Sequence, residues 1–283
     1  MASFTNFATL SYNGGTTNSN IVTGEILEAL TAVKTAVSAN YSAGDRITYA
    51  LSLVNTGTAA VTDYTVTDNL GGYTVGANTV YPLAYNAGTV RYYINGVLQA
   101  APTVTAGPPL TVTGLTVPAG GSAVLIYETT ATPVAPLATG SSITNTATIT
   151  GGGLTTPITA QATVETANSA DLTISKALSP TTVTENGQIT YTFVISNTGN
   201  TEATATGNVV VTDTFAPILR NIAVTYNGTA WTEDTNYTYN AATGVFTTLA
   251  GQITVPAASF TQNTDGTFTV TPGTAALVIT GTV

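Results

Sequence analysis

Residues 142–153 read SITNTATITGGG, and residues 3–15 read SFTNFATLSYNGG. Set in register, Phe4, Asn6, Ala8 and Leu10 fall on Ile143, Asn145, Ala147 and Ile149. Alternation of apolar and polar positions is the pattern of a half-buried strand, and in both copies an Asn stands in the apolar series. The later copy closes a module. The earlier copy has no module in front of it, which makes it a candidate donor strand.

Working outward, the chain reads KTAVSANYSAGDRITYALSLVNTGTAAVTDYTVTDNLG from Lys34 and KALSPTTVTENGQITYTFVISNTGNTEATATGNVVVTDTF from Lys176. A turn with Gly44 or Gly187 is followed by ITY at Ile47 and Ile189, NTG at Asn55 and Asn197, and VTD at Val66 and Val211. An internal repeat fixes boundaries better than any composition shift. The expected divisions are a leading strand or hairpin and linker over 1–30, a first domain over 31–166 and a second over 167–283. Short runs of period two between turn signals predict an all-β protein of two tandem Ig-like β-sandwich domains. Asn18 to Leu27 is expected to pair back on the leading strand. A short helix is conceivable over Thr23 to Lys34, but strand or linker is favoured. Asn-Gly at Asn95 and Asn227 predicts type I′ hairpin turns. The aromatics around them (Tyr81, Tyr85, Tyr92 and Tyr93, then Tyr226, Trp231, Tyr237 and Tyr239) are expected to pack in the core or across strands.

Composition bounds the function. The chain has 283 residues, a net charge of -9 and five Lys and Arg together, which argues against a nucleic-acid partner. Cys and His are both absent, which removes disulfides, thiolate metal sites and the usual catalytic triads. No cofactor or metal is expected, and no turnover enzyme. No apolar run is long enough to span a bilayer, and no secretory leader is legible, so membrane insertion is not expected.

The two lysines of the chain, Lys34 and Lys176, occupy the same place in the two modules, each in the apolar parity of its strand. Asp68 shares parity with Val66 and Leu70, and Asp213 with Val211 and Phe215. Each completed module therefore points a Lys, an Asp and an Asn inward. Such a set is costly in a core unless its members satisfy one another. Desolvation favours the neutral forms of an amine and an acid. A neutral amine is a nucleophile, and a carboxyl group beside it shuttles protons as ammonia leaves a carboxamide. The expected product is a Lys–Asn isopeptide bond: Lys34 with Asn145 inside domain one, promoted by Asp68, and Lys176 with Asn6 of another subunit, promoted by Asp213. Glu128 is a rival acid in domain one, disfavoured because Gly281 is read as its counterpart.

The strand-A Lys, NTG, VTD and final NTAT strand together resemble the bacterial surface "conserved repeat" domain, a domain of unknown function numbered eleven in its series. They also resemble Ig-like pilin and adhesin modules with spontaneous isopeptide bonds. The resemblance covers both modules, best in the first and last thirds of each. It implies a buried acid assisting Lys and Asn, a role carried to Asp68 and Asp213. The second module departs from the pattern: GTAALVITGTV from Gly273 matches GGSAVLIYETTATP from Gly120, and no closing strand follows. The expectation is a structural subunit of a filament on a cell or spore surface, extracellular, a head-to-tail homopolymer of identical subunits. Each leading segment, through Phe4, Asn6, Ala8 and Leu10, completes the second domain of a neighbour. A repeat-containing surface-layer or adhesin stalk is the alternative. A carbohydrate-binding module, with aromatic platforms and a Ca²⁺ loop, is the third.

Overall fold

The computed structural model describes residues 2–26 and 29–283. Residues 27 and 28, within the stretch weighed as a helix, lie outside the described residues. Residues 23–26 and 30–34 of that stretch are strand, and no α-helix occurs among the described residues. The protein is all-β. Helical structure among the described residues is limited to one 3-10 turn, Ala205–Gly207. No described helix is long and apolar enough to cross a membrane.

The leading segment is a ribbon of four short strands: β1 (Ala2–Asn6), β2 (Thr9–Tyr12), β3 (Gly15–Asn18) and β4 (Val22–Ile26). β1 pairs with β4 and β2 with β3, so one hairpin folds about the Asn13–Gly14 turn, as the sequence predicts for its second arm. Gly14 has φ +127°, a value that L side chains rarely adopt. The pairing steps by one residue between Asn6↔Val22 and Thr9↔Asn18, which is a bulge. Phe4, Phe7, Leu10, Tyr12, Ile21 and Val22 are all exposed on it.

The chain clusters into two compact units: the first holds residues up to Ala135, the leading ribbon included, with Ser142–Glu165, the second Pro136–Ser141 with Thr166–Val283. The first unit continues with β5 (Leu30–Ala36), β6 (Asn40–Tyr41), β7 (Arg46–Asn55), β8 (Val61–Asp68), β9 (Tyr73–Val75), β10 (Asn78–Val80), β11 (Leu83–Tyr85), β12 (Arg91–Ile94), β13 (Val97–Leu98), β14 (Thr103–Thr105), β15 (Leu110–Val117), β16 (Ser122–Ala131), β17 (Ser142–Gly151) and β18 (Ile158–Thr166). One sheet runs β13-β12-β16-β7-β5 with β11 on β16, and the other β14-β15-β8-β17-β18-β6. The burial of alternate residues in β7, β16 and β17 is the period-two signal realised: each sheet turns one face to the core.

The second unit contains β19 (Leu172–Ser179), β20 (Gln188–Asn197), β21 (Thr212–Thr214), β22 (Arg220–Tyr226), β23 (Thr229–Trp231), β24 (Tyr237–Asn240), β25 (Val245–Thr248), β26 (Ser259–Gln262), β27 (Phe268–Thr271) and β28 (Gly273–Thr282). Its larger sheet is β19-β20-β28-β22-β23, the counterpart of the β5 to β12 sheet. Of its other sheets, one has three strands, β21-β25-β24, and one is the β26-β27 hairpin. β21 matches β8 through VTD, yet pairs only with β25 among the described residues. Val211, Phe215, Phe246, Ile253 and Leu277 form part of the core of this unit.

The repeat landmarks have physical reasons. The Asn of each NTG is buried and staples a loop: Asn55 donates to the carbonyls of Ala59 and Pro118 and accepts from the Gly57 N–H, and Asn197 donates to Thr201 and Pro256 and accepts from Gly199. Asn95 and Asn227 both take positive φ, each followed by a positive-φ glycine, as type I′ turns require. Of the aromatics near those turns, Tyr92, Tyr226 and Tyr237 are buried, and Trp231 stacks on Tyr226 at 4.8 Å.

Candidate functional site

In the first unit, β5 brings Lys34 to the inner face because the apolar parity Leu30, Ala32, Lys34, Ala36 faces the core. β8 presents Asp68 from the opposite sheet in the parity of Tyr64 and Val66. The Lys34 Nζ lies 2.5 Å from Asp68 Oδ2, with the two side chains 0% and 1% exposed. Asp68 Oδ1 accepts from the Leu70 N–H at 3.0 Å. The Tyr127 hydroxyl donates to Asp68 Oδ2, and the Tyr49 ring stands 4.8 Å from the ammonium. Burial pulls the Lys34 pKa down to about 8, against the opposing pull of Asp68. Burial pushes Tyr49 and Tyr127 upward, so both phenols hold their protons.

Asn145 lies on β17, hydrogen-bonded to β8 in a register that sets Ala147 opposite Asp68. Asn145 is one inward step along from that pair, wholly buried between Ile143 and Ala147. Its carboxamide tempers the upward shift of both phenols, but neither Nδ2 nor Oδ1 finds a partner at hydrogen-bonding distance and angle. A buried carboxamide with both polar atoms unsatisfied costs on the order of 1–3 kcal/mol per group, and an ion pair in a core is poor compensation for its own desolvation.

Two readings from sequence change here. Glu128 points away from the core and pairs with Arg46 at 3.6 Å on the surface, so it is no rival acid. Its counterpart is not Gly281: Glu128 faces Thr48 across the sheet, whereas Thr280 faces Thr190 in the equivalent pair, and Gly281 matches Thr129. Sequence reasoning also passed over Tyr127, whose only signal is its place in the inward series Ala123, Leu125, Tyr127, Thr129. Ile279 stands at that position in the second unit, so no phenol is supplied there.

The second unit repeats the pair in a different setting. Lys176 hydrogen-bonds Asp213 Oδ2, and its ammonium lies 4.5 Å from the Tyr191 ring centroid and 5.3 Å from that of Phe193. Here the side chains are 40% and 18% exposed. Ile174 and Leu178, which flank Lys176 in the same parity, are exposed too. The difference follows from topology: β17 and β18 cover Lys34, and among the described residues nothing occupies that place over Lys176. Asn6 sits on the exposed leading hairpin opposite Val22, in the same apolar parity as Phe4, Ala8 and Leu10.

No family model matches the chain, so the resemblance drawn from NTG and VTD rests on those residues alone. No curated protein matches it in sequence. Solved structures do show likeness. The major pilin subunit BcpA of Bacillus cereus matches with 14% identity over 96% of this chain and 73% of its own, at a TM-score of 0.35. The pilus backbone protein RrgB of Streptococcus pneumoniae matches with 13% identity over 86% and 55%, at 0.36. The N-terminal domain of the Streptococcus gordonii adhesin Sgo0707 matches with 15% identity over 47% and 31%, at 0.35. At such scores the sandwich architecture rests on the strands of this chain and not on the likeness.

Proposed function

We propose that this chain is the structural subunit of an extracellular, surface-borne filament, assembled head to tail from identical copies through donor-strand complementation. The observation that carries the reading is the contrast between the two Lys–Asp pairs. One is sealed beside an inward Asn on β17. The other lies open at a strand edge, where no counterpart of β17 stands among the described residues, and an Asn-bearing strand pattern like that of β17 is present on the exposed leading hairpin. An unpaired edge beside an apolar cleft is a template for strand addition.

In unit one the Lys34 amine attacks Asn145 Cγ. One C–N bond forms, the bond from Cγ to Nδ2 breaks, and the nitrogen leaves as ammonia. Asp68 carries the proton from the amine to the departing nitrogen, and nothing is oxidised or reduced. The lowered Lys34 pKa supplies free amine near neutral pH, and the Tyr127 hydroxyl holds Asp68 toward the lysine. The same steps join Lys176 to Asn6 of a neighbouring copy beside Asp213. A heterologous interface that does not close by rotation grows into an open filament.

Denaturing electrophoresis with intact-mass measurement tests the proposal. The expected result is a ladder that survives boiling in detergent, each unit lighter by one ammonia per bond. Lys176→Ala and Asn6→Ala each abolish the ladder, and a full ladder from both variants overturns the assignment of the joint. A surface-layer or adhesin stalk, in which a following segment of the same longer chain fills the cleft, predicts instead a single band with no dependence on Asn6.

A further inference from the structure

Resting on the donor-strand reading above, we propose that the donated element is the whole leading hairpin: β1 takes the place of β17, and β4 takes that of β18. Two strands pass between copies, and the receiving surface has two edges.

The width of the gap is the first argument. In unit one, β17 and β18 lie between β8 and β6. The counterpart of β6 in unit two is Thr182–Val183. One constant offset relates Lys34↔Leu51 to Lys176↔Phe193, and the Asp45 N–H bond to Ser42 O to the Gly187 N–H bond to Thr184 O. The positive φ of Gly44 recurs at Asn186 under the same offset. Tyr41 of β6 is fully buried, whereas Val183 is exposed and belongs to no strand. Both flanks of a two-strand gap are therefore present, β21 on one side and 182–183 on the other. A single added strand would satisfy β21 and leave Thr182–Val183 without a neighbour.

Register is the second. β17 and β18 pair Ser142↔Glu165, Thr144↔Thr163 and Asn145↔Ala162. β1 and β4 pair Ser3↔Glu25, Thr5↔Thr23 and Asn6↔Val22. The match holds residue by residue up to the bulge after Asn6, and a slip of one would turn every side chain to the wrong face.

Volume is the third. Where unit one sets Ile143 opposite Val164, the hairpin sets Phe4 opposite Gly24. The Phe4 ring fills the space above the glycine: a Cβ on Gly24 would lie 2.4 Å from Phe4 Cζ. A large and a small residue replace two of middle size on the face that carries Asn6. Phe4 and Val22 of that face are exposed in the free hairpin and would be covered on docking.

The chain has no cysteine, which makes site-directed disulfides unambiguous. In unit one the Glu165 N–H bonds Ala39 O at 2.9 Å, so the equivalent neighbours across the joint are positions 25 and 181. Two full-length single variants, Glu25→Cys and Thr181→Cys, are mixed, assembled and mapped by mass without reductant, with Asn6 intact in both. The expected result is a disulfide joining position 25 of one copy to position 181 of another, within a ladder that persists when reductant is added. An ammonia-deficient ladder with no such disulfide means that one strand alone is donated and overturns this inference. Absence of both the disulfide and the ladder, with the parent chain also failing to form a ladder, overturns the donor-strand reading instead.

Discussion

At the scale of single residues, the cost of Lys34, Asp68 and Asn145 in one core is the central fact, and variants separate their roles. Asp68→Ala leaves a buried ammonium without its partner, and a loss of about 3–5 kcal/mol is expected, with no bond formed. Chemical denaturation and intact mass read both effects. Tyr127→Phe removes one donor to Asp68 Oδ2 and keeps the ring. Bond formation is expected to slow by about tenfold, the size of one modest hydrogen bond in the barrier, yet to reach completion. The pH dependence follows from the lowered Lys34 pKa. In Asn145→Ala, which keeps the amine and removes its target, Lys34 titrates near 8 when folded and near its ordinary 10.5 when unfolded. Between those values the unfolded chain holds more protons, so unit one becomes more stable as pH rises from about 8. Above 10 the buried tyrosines reverse the slope, because Tyr49 and Tyr127 keep their protons in the folded state alone. Thermal melts across pH 7 to 10 of this variant check the sign; a flat profile would place Lys34 in water.

At the scale of strands, β17 is the element that separates the units, and a cross-link through it has a calculable effect. Joining Lys34 to Asn145 closes a loop of about 110 residues, for which chain entropy gives about 4–5 kcal/mol of stabilisation. Asn145→Ala is expected to lower the unfolding free energy of unit one by that order, read by chemical denaturation, and to leave unit two unchanged. Much of this was legible in the sequence. The two lysines in one apolar parity, the inward Asn of SITNTATIT and the VTD acid each announce their face by period two, and the NG pairs fix their turns. Tyr127 was not legible, because an aromatic in an apolar series reads as ordinary packing until its hydroxyl is seen to meet Asp68. Nor was the Glu128 counterpart: YETT and ITGT share no residue that pins the frame, and only cross-strand partners resolve a shift of one. The proposed second receiving edge at Thr182–Val183 was hidden for a related reason, since three β-branched residues are too short a run to read as a strand without a neighbour.

At the scale of the whole molecule, the proposed assembly turns on a leading hairpin whose apolar side chains are exposed. Removing residues 1–12 strips β1 and β2 and is expected to yield monomers that retain the unit-one bond, read as the loss of one ammonia, and that never elongate. Size-exclusion chromatography with mass detection decides it, and filaments from that deletion would count against the donor role. Lys34→Ala is expected to leave the ladder intact while lowering the stability of unit one alone, which separates the internal bond from the joint.

Lys34 lies on β5, near where the chain enters the first sandwich, and Asn145 lies on β17, near where it leaves. With those two residues joined, a pull along the backbone passes through one covalent shortcut, and the hundred or so residues between them carry no tension. A sandwich wired in this way would break before it stretched: hydrogen bonds hold its shape, while the load runs through an amide.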